Sequence, residues 1–257
     1  MGQVTASFSR TIKEFLREKA VLFWTVAWPI IWVLISSATF VGDVPKISVP
    51  YVKGSITISM MVFALMMAGM ANLPSSIAGD RENGMLAKLI SMPLSPRNDF
   101  AGRILALGTF SAIAAGLVIA VGFAVGARFT GTTVQIWQAF GFLVLIVGAS
   151  AGVGLLIASF IRRQHGAIMT GIVISVVTAS ISGMFAPYEF LPPALQQFSR
   201  FYPISAATNL AKYFLSGEEF VGYNPLATGH PELTIALSLL LLILGMNLYA
   251  RRSWRLE

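Results

Sequence analysis

Six stretches of this sequence are long, apolar and free of Asp, Glu, Lys and Arg, and they limit the chain to one class of fold. They are residues 20–41, 54–79, 104–127, 129–161, 166–188 and 233–250. A helix needs about 20 apolar residues to cross a hydrocarbon core of about 30 Å. The chain is 56% hydrophobic and 11% charged, whereas soluble domains average about 25% charged residues. The sequence therefore predicts an all-α integral membrane protein of six transmembrane helices in one domain, residues 1–257, with the fourth helix over 137–161.

The net charge of +7 follows from where the basic residues lie. Thirteen of the 18 Lys and Arg residues fall at the termini and in alternate connecting segments: Arg10, Lys13, Arg17, Lys19, Arg81, Lys88, Arg97, Arg103, Arg162, Arg163, Arg251, Arg252 and Arg255. Basic residues near membrane spans concentrate on the cytoplasmic side. The sequence therefore predicts a multi-pass protein of the cell membrane with both termini in the cytoplasm. Because the positive net charge follows from the membrane topology, it indicates membrane lipid as a partner and not nucleic acid.

Residues 3–19 precede the first span and have two faces. Val4, Phe8, Ile12 and Phe15 recur at helical spacing, with basic residues between them. This pattern is typical of an amphipathic helix that lies in the membrane interface. The alternative is the start of a signal peptide. It fits less well, because the apolar run that follows is long and no clear small-residue cleavage site follows it.

The segment between the second and third spans concentrates charge and helix-breaking residues. Asp80, Arg81 and Glu82 are consecutive, and Gly84 follows them. Pro93 is expected to end any helix here, because proline lacks an N–H and clashes with the preceding turn. The segment is predicted to lie in the cytoplasm.

Residues 80–93 are predicted to form a short amphipathic helix. Leu86, Leu89 and Ile90 share one side at helical spacing, and Lys88 lies on the other. A helix of this kind either lies on the bilayer surface or docks into a groove on a partner. We favour docking.

Aromatic and methionine residues in the first two spans are candidates for the wall of a substrate cavity. Trp28 and Trp32 follow Trp24 at intervals of four, so the three indoles share one helical face. The second span contains five methionines, Met60 and Met67 among them. Methionine adapts to varied apolar partners. Ordinary core packing or lipid contact is the alternative for all of these residues.

Residues 186–231 are rich in proline and lie between the fifth and sixth spans. Two short helices are predicted at about 192–199 and 203–215, too short to cross the membrane. They would form a helical hairpin over 190–215 on the outer side, acting as a lid. Its apolar residues Phe190, Leu195, Phe198 and Phe201 are expected to pack inward.

Several kinds of chemistry are missing from the sequence. None of the six apolar runs contains a charged residue, which argues against transport coupled to protons or sodium through intramembrane carboxylates. No G-x-x-x-x-G-K-[ST] motif occurs, so the chain is not expected to hydrolyse ATP. Cysteine is absent and only two histidines occur, and no catalytic cluster, cofactor or metal is predicted. The chain is not expected to be an enzyme.

The sequence resembles the type-2 permeases of ATP-binding-cassette (ABC) exporters, a family that includes drug-resistance, lipid and polysaccharide exporters. The stretch DRENGMLAKLISMPLSPRNDFAGRIL is similar to the family's first intracellular loop, approximately E-(K/R)-x-x-G-T-L-E-x-L-x-x-x-P-(L/V)-S. The matching residues are Glu82, Gly84, Leu86, Leu89, Pro93, Leu94 and Ser95. Two positions depart from the pattern: Met85 stands where Thr is usual, and Lys88 lies near a usually acidic position.

A second match lies between the fifth and sixth spans. FAPYEFLPPALQQFSRFYPISAATNLAKYF resembles the family's segment after the fifth span, where prolines and leucines recur. The residues that this match implicates in an outer gate are Pro187, Glu189, Leu191, Pro192 and Pro203. With the N-terminal interfacial helix and six spans, the resemblance covers nearly the whole chain.

The resemblance implies a permease subunit that pairs with a second copy or a homologue. Two cytoplasmic ATPase subunits would bind ATP and magnesium and push on the coupling helix. That helix would use Asp80, Arg81, Glu82, Gly84, Leu86, Lys88, Leu89, Ile90 and Pro93. The resemblance also places the substrate cavity between two subunits, walled by spans one, two and five. Because these spans are uncharged, a hydrophobic or amphipathic substrate is expected, such as a drug, a lipid or a lipid-linked glycan.

Two other functions remain open from the sequence. One is a membrane scaffold or assembly factor that uses the same cytoplasmic helix to hold a soluble partner. The other is a secondary transporter driven by an ion gradient.

Overall fold

A computed structural model describes residues 2–39, 45–85, 88, 95–185, 191–227 and 230–252. Within these residues the chain is helical and has no strand. The helices are α1 (Gln3–Arg17), α2 (Lys19–Thr39), α3 (Val49–Glu82), α4 (Pro96–Ala124), α5 (Thr133–Phe160), α6 (Gln164–Ile181), α7 (Pro193–Phe201), α8 (Pro203–Ser216) and α9 (His230–Arg252). A 3₁₀ turn (Glu218–Phe220) follows α8.

Six of these helices, α2 to α6 and α9, are long and apolar enough to cross a membrane. The predicted all-α membrane fold with six spans is therefore confirmed. The helix bounds differ from the apolar runs, because helices continue beyond the hydrocarbon core into polar sequence. α3 extends to Glu82, three residues beyond the predicted span, and α4 begins at Pro96 instead of residue 104. Proline is favoured in the first turn of a helix, where its missing N–H has no partner to lose.

α3 is the central helix of the bundle. In its most apolar stretch 94% of the residues are buried, whereas the corresponding share for the other five spans is 22–44%. Its buried side chains include four methionines with no exposed surface: Met60, Met66, Met67 and Met70. Unbranched methionine fills the irregular spaces left between several helices.

Each of the first two spans contains one turn of π-helix just before a proline. The turns are Phe23–Ala27 in α2 and Ala68–Asn72 in α3, and Pro29 and Pro74 follow two residues later. Proline cannot donate to the carbonyl four residues back, so the backbone adjusts its hydrogen bonding locally. α2 and α3 therefore share the same irregularity at corresponding places before a proline.

The two π-helical turns lie against each other and against very small residues. The Thr25 hydroxyl donates to Asn72 Oδ1 at 3.1 Å. A Cβ at Gly154 of α5 would lie 2.1 Å from the Gly69 carbonyl oxygen, and one at Gly171 of α6 would lie equally close to the Met70 carbonyl. Glycine is therefore required at both positions for α5 and α6 to approach the irregular turn of α3.

The short helices α7 and α8 form a hairpin beside the end of α6, as the sequence predicted. The expectation that Leu195, Phe198 and Phe201 pack inward is wrong, since 37%, 50% and 55% of their surfaces are exposed. Phe190 lies outside the described residues. The hairpin has an inner helix and an outer helix, and it is α8 that is buried, against α3, α5 and α9. α7 packs over it with an apolar face left open.

Lys212 is the buried cation of this hairpin. Its side chain is 5% exposed, and its ammonium donates to the Gly183 carbonyl at 3.0 Å, just beyond the end of α6. The C-terminal end of a helix carries partial negative charge that favours a cation. Burial nevertheless lowers the pKa of Lys212 to about 8. Lys212 therefore connects α8 to the end of α6 through a hydrogen bond, although burial removes water from its ammonium group.

Lys212 predicts a stability that rises with pH in the alkaline range. The folded chain holds the Lys212 proton less tightly than the unfolded chain, because the pKa is about 8 when folded and 10.5 ordinarily. The free energy of unfolding of the wild type should therefore rise relative to Lys212→Met as pH increases from about 8 towards 10.5. Denaturant titrations in detergent at several pH values measure this difference.

The control for this titration is Lys46→Met, which removes an exposed lysine. Its free energy of unfolding should follow the wild type at every pH. Parallel curves for the wild type and Lys212→Met would show that Lys212 is not desolvated in the folded protein.

Candidate functional site

At the end of the bundle that holds α1, three helices share a buried group of charges. We call Arg10 of α1, Asp80 of α3, and Asp99 and Arg103 of α4 the ionic cluster. The cluster forms because α3 and α4 continue past their apolar stretches into polar sequence, and α1 crosses both. α1 and α4 are also in close contact, since a Cβ at Gly102 would lie 2.6 Å from the Ser7 Cβ.

Each charge in the ionic cluster faces an opposite charge. Arg103 Nε donates to Asp99 Oδ2 at 2.8 Å, and Arg103 Nη2 donates to Asp80 Oδ2. Arg10 Nη2 lies 3.0 Å from Asp80 Oδ2 and 3.2 Å from Asp99 Oδ1. The Arg103 side chain is only 1% exposed. A buried charge is tolerated when it is paired and its remaining polar atoms are hydrogen-bonded, and this arrangement provides both.

Polar neighbours add hydrogen bonds around the ionic cluster. The Ser7 hydroxyl donates to Asp99 Oδ1 at 2.7 Å, and Arg103 Nη1 donates to the Ser76 hydroxyl at 2.9 Å. Ser76 in turn donates to the Glu14 carboxylate. Burial, and then repulsion from the Asp80 carboxylate, raise the pKa of Glu14 above its ordinary value of 4.5. Glu14 is thus a further acidic group held against α3.

The two residues after Asp80 bind two other helices. Arg81 Nη1 donates to the Ala158 carbonyl in the last turn of α5 at 3.1 Å. Glu82 Oε2 accepts a hydrogen bond of 2.9 Å from the Gln164 backbone N–H at the start of α6. A carboxylate suits that position, because the first N–H groups of a helix lack partners and carry partial positive charge. The last turn of α3 therefore contacts α1, α4, α5 and α6.

A tight turn follows α3 directly. Gly84 has φ of +66°, in the left-handed region, and its N–H donates to the Arg81 carbonyl at 3.2 Å. Glycine commonly ends helices in this conformation because it has no Cβ to clash. Beyond it, Met85 is 38% exposed and Lys88 is exposed as well. The predicted coupling residues Leu86, Leu89, Ile90 and Pro93 lie outside the described residues.

The structure separates the predicted coupling residues into two groups. Asp80, Arg81 and Glu82 belong to the last turn of α3, and their side chains bind helices of the same chain. The expectation that they begin a separate helix in water is wrong, because α3 continues to Glu82 without a break. Gly84, Met85 and Lys88 follow on the exposed side. Direct contact of these residues with a partner stays a prediction.

Sequence reasoning missed Arg10, Asp99 and Ser76 as members of this site, and treated Arg103 only as a topological charge. One local signal was present: Asp99 and Arg103 are spaced i, i+4 just before an apolar run, which is favourable for an ion pair on a helix. Arg10 and Ser76 carry no such signal. Among the residues that the structure describes, no group of three His, Asp or Glu side chains could hold a metal ion.

The candidate cavity residues occupy two different environments. Met60 and Met67 have no exposed surface in the single chain, so they fill the core here and line no open cavity. Trp28 and Trp32 are partly buried and belong to a row of tilted rings in contact along α2. Successive centroids from Trp24 to Trp28 and from Trp28 to Trp32 are 5.4 and 5.8 Å apart. A substrate path along these residues stays a prediction.

The row of rings continues from α2 to the hairpin end of the bundle. Trp32 packs edge-on against Phe185, with centroids 5.2 Å apart, and Phe185 packs against Phe63 of α3 at 5.5 Å. Phe185 follows the end of α6. The aromatic face of α2 is therefore joined to the region where α7 and α8 attach.

The candidate outer-gate residues are partly described. Pro187 and Glu189 lie outside the described residues. Leu191 and Pro192 precede α7, where the Leu191 carbonyl accepts a hydrogen bond from Gln196 Nε2 at 2.9 Å. Pro203 is buried and opens α8. Pro193, directly after Pro192, begins α7 as Pro203 begins α8, which is the role that the fixed φ of proline favours.

The hairpin is fastened to the end of α6 by hydroxyl groups as well as by Lys212. The Tyr202 hydroxyl lies 3.4 Å from the Thr178 hydroxyl. Ser205 and Ser182 form a second hydroxyl pair. Burial raises the pKa of Tyr202, so its phenol keeps its proton and can serve as donor or acceptor.

Comparisons with known proteins agree with this architecture. The family described as ABC-2 type transporter matches residues 2–215. A protein of Escherichia coli named as a multidrug ABC transporter permease, YbhR, is 31% identical over 139 residues, which cover 53% of this chain but 37% of YbhR. A protein of Pyropia yezoensis named as a transport permease, ycf38, is 23% identical over 219 residues, covering 83% of this chain and 74% of that protein. Because the family match spans most of its 257 residues, this chain belongs to the ABC-2 type transporter family.

Proposed function

We propose that this chain is the membrane subunit of an ABC exporter that moves hydrophobic or amphipathic molecules, such as drugs, lipids or lipid-linked glycans, out of the cytoplasm. A separate ATPase subunit binds ATP and magnesium and supplies the energy. The observation that carries the proposal is the last turn of α3, where Asp80, Arg81 and Glu82 bind four neighbouring helices directly before the predicted coupling segment.

The last turn of α3 supports a physical route for coupling. A force applied to residues 83–95 acts first on Gly84 and then on the three residues that hold α1, α4, α5 and α6. Side-chain hydrogen bonds and ion pairs of 2.9–3.2 Å, together with the Arg103–Asp80 ion pair, join these helices, so they move with α3 instead of independently. Packed helices shift as rigid bodies between discrete arrangements.

The proposed partners rest on the family assignment and on the amphipathic composition of residues 80–93. Two ATPase subunits bind the cytoplasmic faces of two permease subunits, which are two copies of this chain or this chain and a homologue. Membrane lipid surrounds the assembly. The substrate cavity lies between the two subunits along α2, α3 and α6, where the Trp24, Trp28 and Trp32 row supplies an apolar wall.

The hairpin of α7 and α8 is proposed to be the outer gate of that cavity. Among the described residues, its polar contacts with the end of α6 are two hydroxyl pairs and the Lys212 ammonium. The outer helix α7 is the more exposed of the two helices, so it is the part proposed to move, while the buried α8 holds the hairpin to the bundle. The row of rings ends at Phe185, beside the same attachment, so movement of α2 and α6 reaches the hairpin directly.

The proposed orientation in the cell membrane predicts which loops are accessible. The end of the bundle with α1 and the ionic cluster faces the cytoplasm, as do both termini, because most basic residues lie at that end. A single cysteine at Asn83 should be labelled by a membrane-impermeant thiol reagent only after permeabilisation of the cells. A cysteine at Glu218 should be labelled in intact cells, and the cysteine-free wild type provides the background. Labelling of Asn83 from outside would reverse the orientation and remove the coupling proposal.

Leu89→Asp tests the docking segment. Burial of a leucine contributes roughly 1.5–3 kcal/mol, and a charge in an apolar groove costs several kcal/mol. The substitution should abolish both co-purification of the ATPase subunit and substrate-stimulated ATP hydrolysis, while the permease is still inserted in the membrane. Leu89→Met is the matched control and should keep both activities.

The outcomes of the Leu89→Asp experiment separate the proposal from its alternatives. A segment that only lies on the bilayer would detach from the membrane while the ATPase stays bound. If the chain is a scaffold, the substitution would abolish partner binding, and the wild type itself would show no transport. A secondary transporter would move substrate down an ion gradient with no nucleotide present. Normal ATPase binding and stimulation by Leu89→Asp would exclude this segment from the mechanism.

The ionic cluster is tested by a double-mutant cycle. Asp80→Asn and Arg103→Gln each leave a buried opposite charge short of a partner, and removing both relieves part of that cost. Unfolding in detergent should therefore give a coupling free energy of about 0.5–3 kcal/mol between the two positions, the usual range for residues in one network. Each single variant should also reduce ATPase stimulation. Glu218→Gln, at an exposed carboxylate, should change neither measurement, and strictly additive single effects would contradict a coupled pair.

A further inference from the structure

A deep apolar groove lies on the side of the bundle formed by α4, α5 and α9. Its volume is about 600 Å³. One wall is α4 from Phe100 to Ile119, the other is formed by α5 and α9, and the floor consists of Met61 and Leu65 of α3. Among the described residues that line it, none is charged. The proposed path between subunits follows α2 and α6, so this groove is a separate feature.

Two glycines of α4 create the width of the groove. A Cβ built at Gly108 or at Gly116 would meet no described heavy atom within 4 Å beyond the helix's own backbone. Both glycines line the groove. Most other glycines in these helices serve close helix contacts, as at Gly152, where a Cβ would lie 2.5 Å from the Leu241 carbonyl oxygen. Gly108 and Gly116 leave open space at the groove wall.

Two serine hydroxyls are the polar groups of the groove, one on each wall. Ser111 of α4 and Ser238 of α9 are both 1% exposed and both line the groove. Neither Oγ has a hydrogen-bond partner among the described residues. Other hydroxyls in the same two helices bond to the carbonyl four residues back, Thr109 at 2.9 Å and Thr234 at 2.7 Å. The two groove serines therefore keep a free donor and acceptor in an apolar space.

Both hydroxyls lie well inside their helices. Ser111 is 15 residues from the start of α4 at Pro96, and Ser238 is 14 residues from the end of α9 at Arg252. At about 1.5 Å per residue, each is roughly 22 Å from that end of its own helix. This places them deep within a hydrocarbon core of about 30 Å. The head group of a bilayer phospholipid stays at the interface, so an ordinary acyl chain cannot bond to them.

We propose that this groove is a binding site for an uncharged lipophilic molecule that carries one hydrogen-bonding group, entering from the bilayer. The apolar body fills the space beside Gly108 and Gly116, and its hydroxyl, carbonyl or amide group pairs with Ser111 or Ser238. An unpaired buried hydroxyl is costly, and pairing it inside hydrocarbon is favourable. The binding needs neither ATP nor an ATPase subunit, so it stands or falls separately from the proposed transport function.

The test compares two probes that differ in one hydroxyl, 1-pyrenemethanol and 1-methylpyrene. The full chain is placed in lipid nanodiscs without nucleotide, and energy transfer from its tryptophans to pyrene is titrated. The expected result is a saturable component for 1-pyrenemethanol above the linear partition seen in empty nanodiscs. The affinity for 1-pyrenemethanol should exceed the affinity for 1-methylpyrene by about 2- to 10-fold for each serine hydroxyl that the probe engages.

Variants of the groove assign the component to this site. Gly108→Leu and Gly116→Leu fill open space and should abolish saturable binding without loss of folding. Gly141→Leu is the matched control, since Gly141 on α5 also has no described heavy atom within 4 Å of a built Cβ and does not line the groove. It should bind as the wild type does. Ser111→Ala with Ser238→Ala should weaken 1-pyrenemethanol and leave 1-methylpyrene unchanged.

Three results would overturn the proposal. One is the lack of any saturable component in the wild type. Another is saturable binding that survives Gly108→Leu and Gly116→Leu, because the site would then lie elsewhere. The third is equal affinity for the two probes with no effect of the serine substitutions, which would show that the groove holds acyl chains without selecting a hydrogen-bonding group.

Discussion

Arg103 is almost completely buried where α1 crosses α3 and α4, and its charge has to be balanced at that place. Asp80 and Asp99 supply the balance, and Arg10 joins the same two carboxylates to α1. Removing one member of a buried ionic group leaves the others unpaired at a cost of several kcal/mol. The cluster therefore sets the positions of three helices relative to one another, and the contacts of Arg81 and Glu82 extend that control to two more.

α3 connects this polar end of the bundle to its apolar interior. It is the most buried of the six spans, and its π-helical turn lies between the ionic cluster and the hairpin end. Glycines of α5 and α6 contact that turn backbone to backbone, so the irregular segment is held on two sides. α3 contacts most of the other spans, so a shift of its last turn affects most of the bundle. This arrangement supports the proposed coupling, in which a push at one end rearranges the whole bundle.

The bundle presents two different apolar sides. One carries the row of indoles on α2 that ends at Phe185 near the hairpin. The other is the groove between α4 and the pair α5 and α9, which Ser111 and Ser238 line. Because hydrocarbon provides no hydrophobic driving force between groups already in it, shape and hydrogen bonding decide what binds on either side. The groove offers both, while the aromatic row offers an apolar surface of tilted rings.

The sequence by itself determined the fold class, the six spans and the sites of the two short helices. These follow from runs of apolar residues matched to membrane thickness and from prolines that begin helices, both of which are local properties. The tertiary structure decided the partners of Asp80, Arg81 and Glu82, the burial of α8 instead of the apolar residues of α7, and the groove. Ser7 and Asp99, for example, pair across 92 positions. Helical periodicity identifies the residues that share a face, but the element that covers that face depends on how distant helices pack.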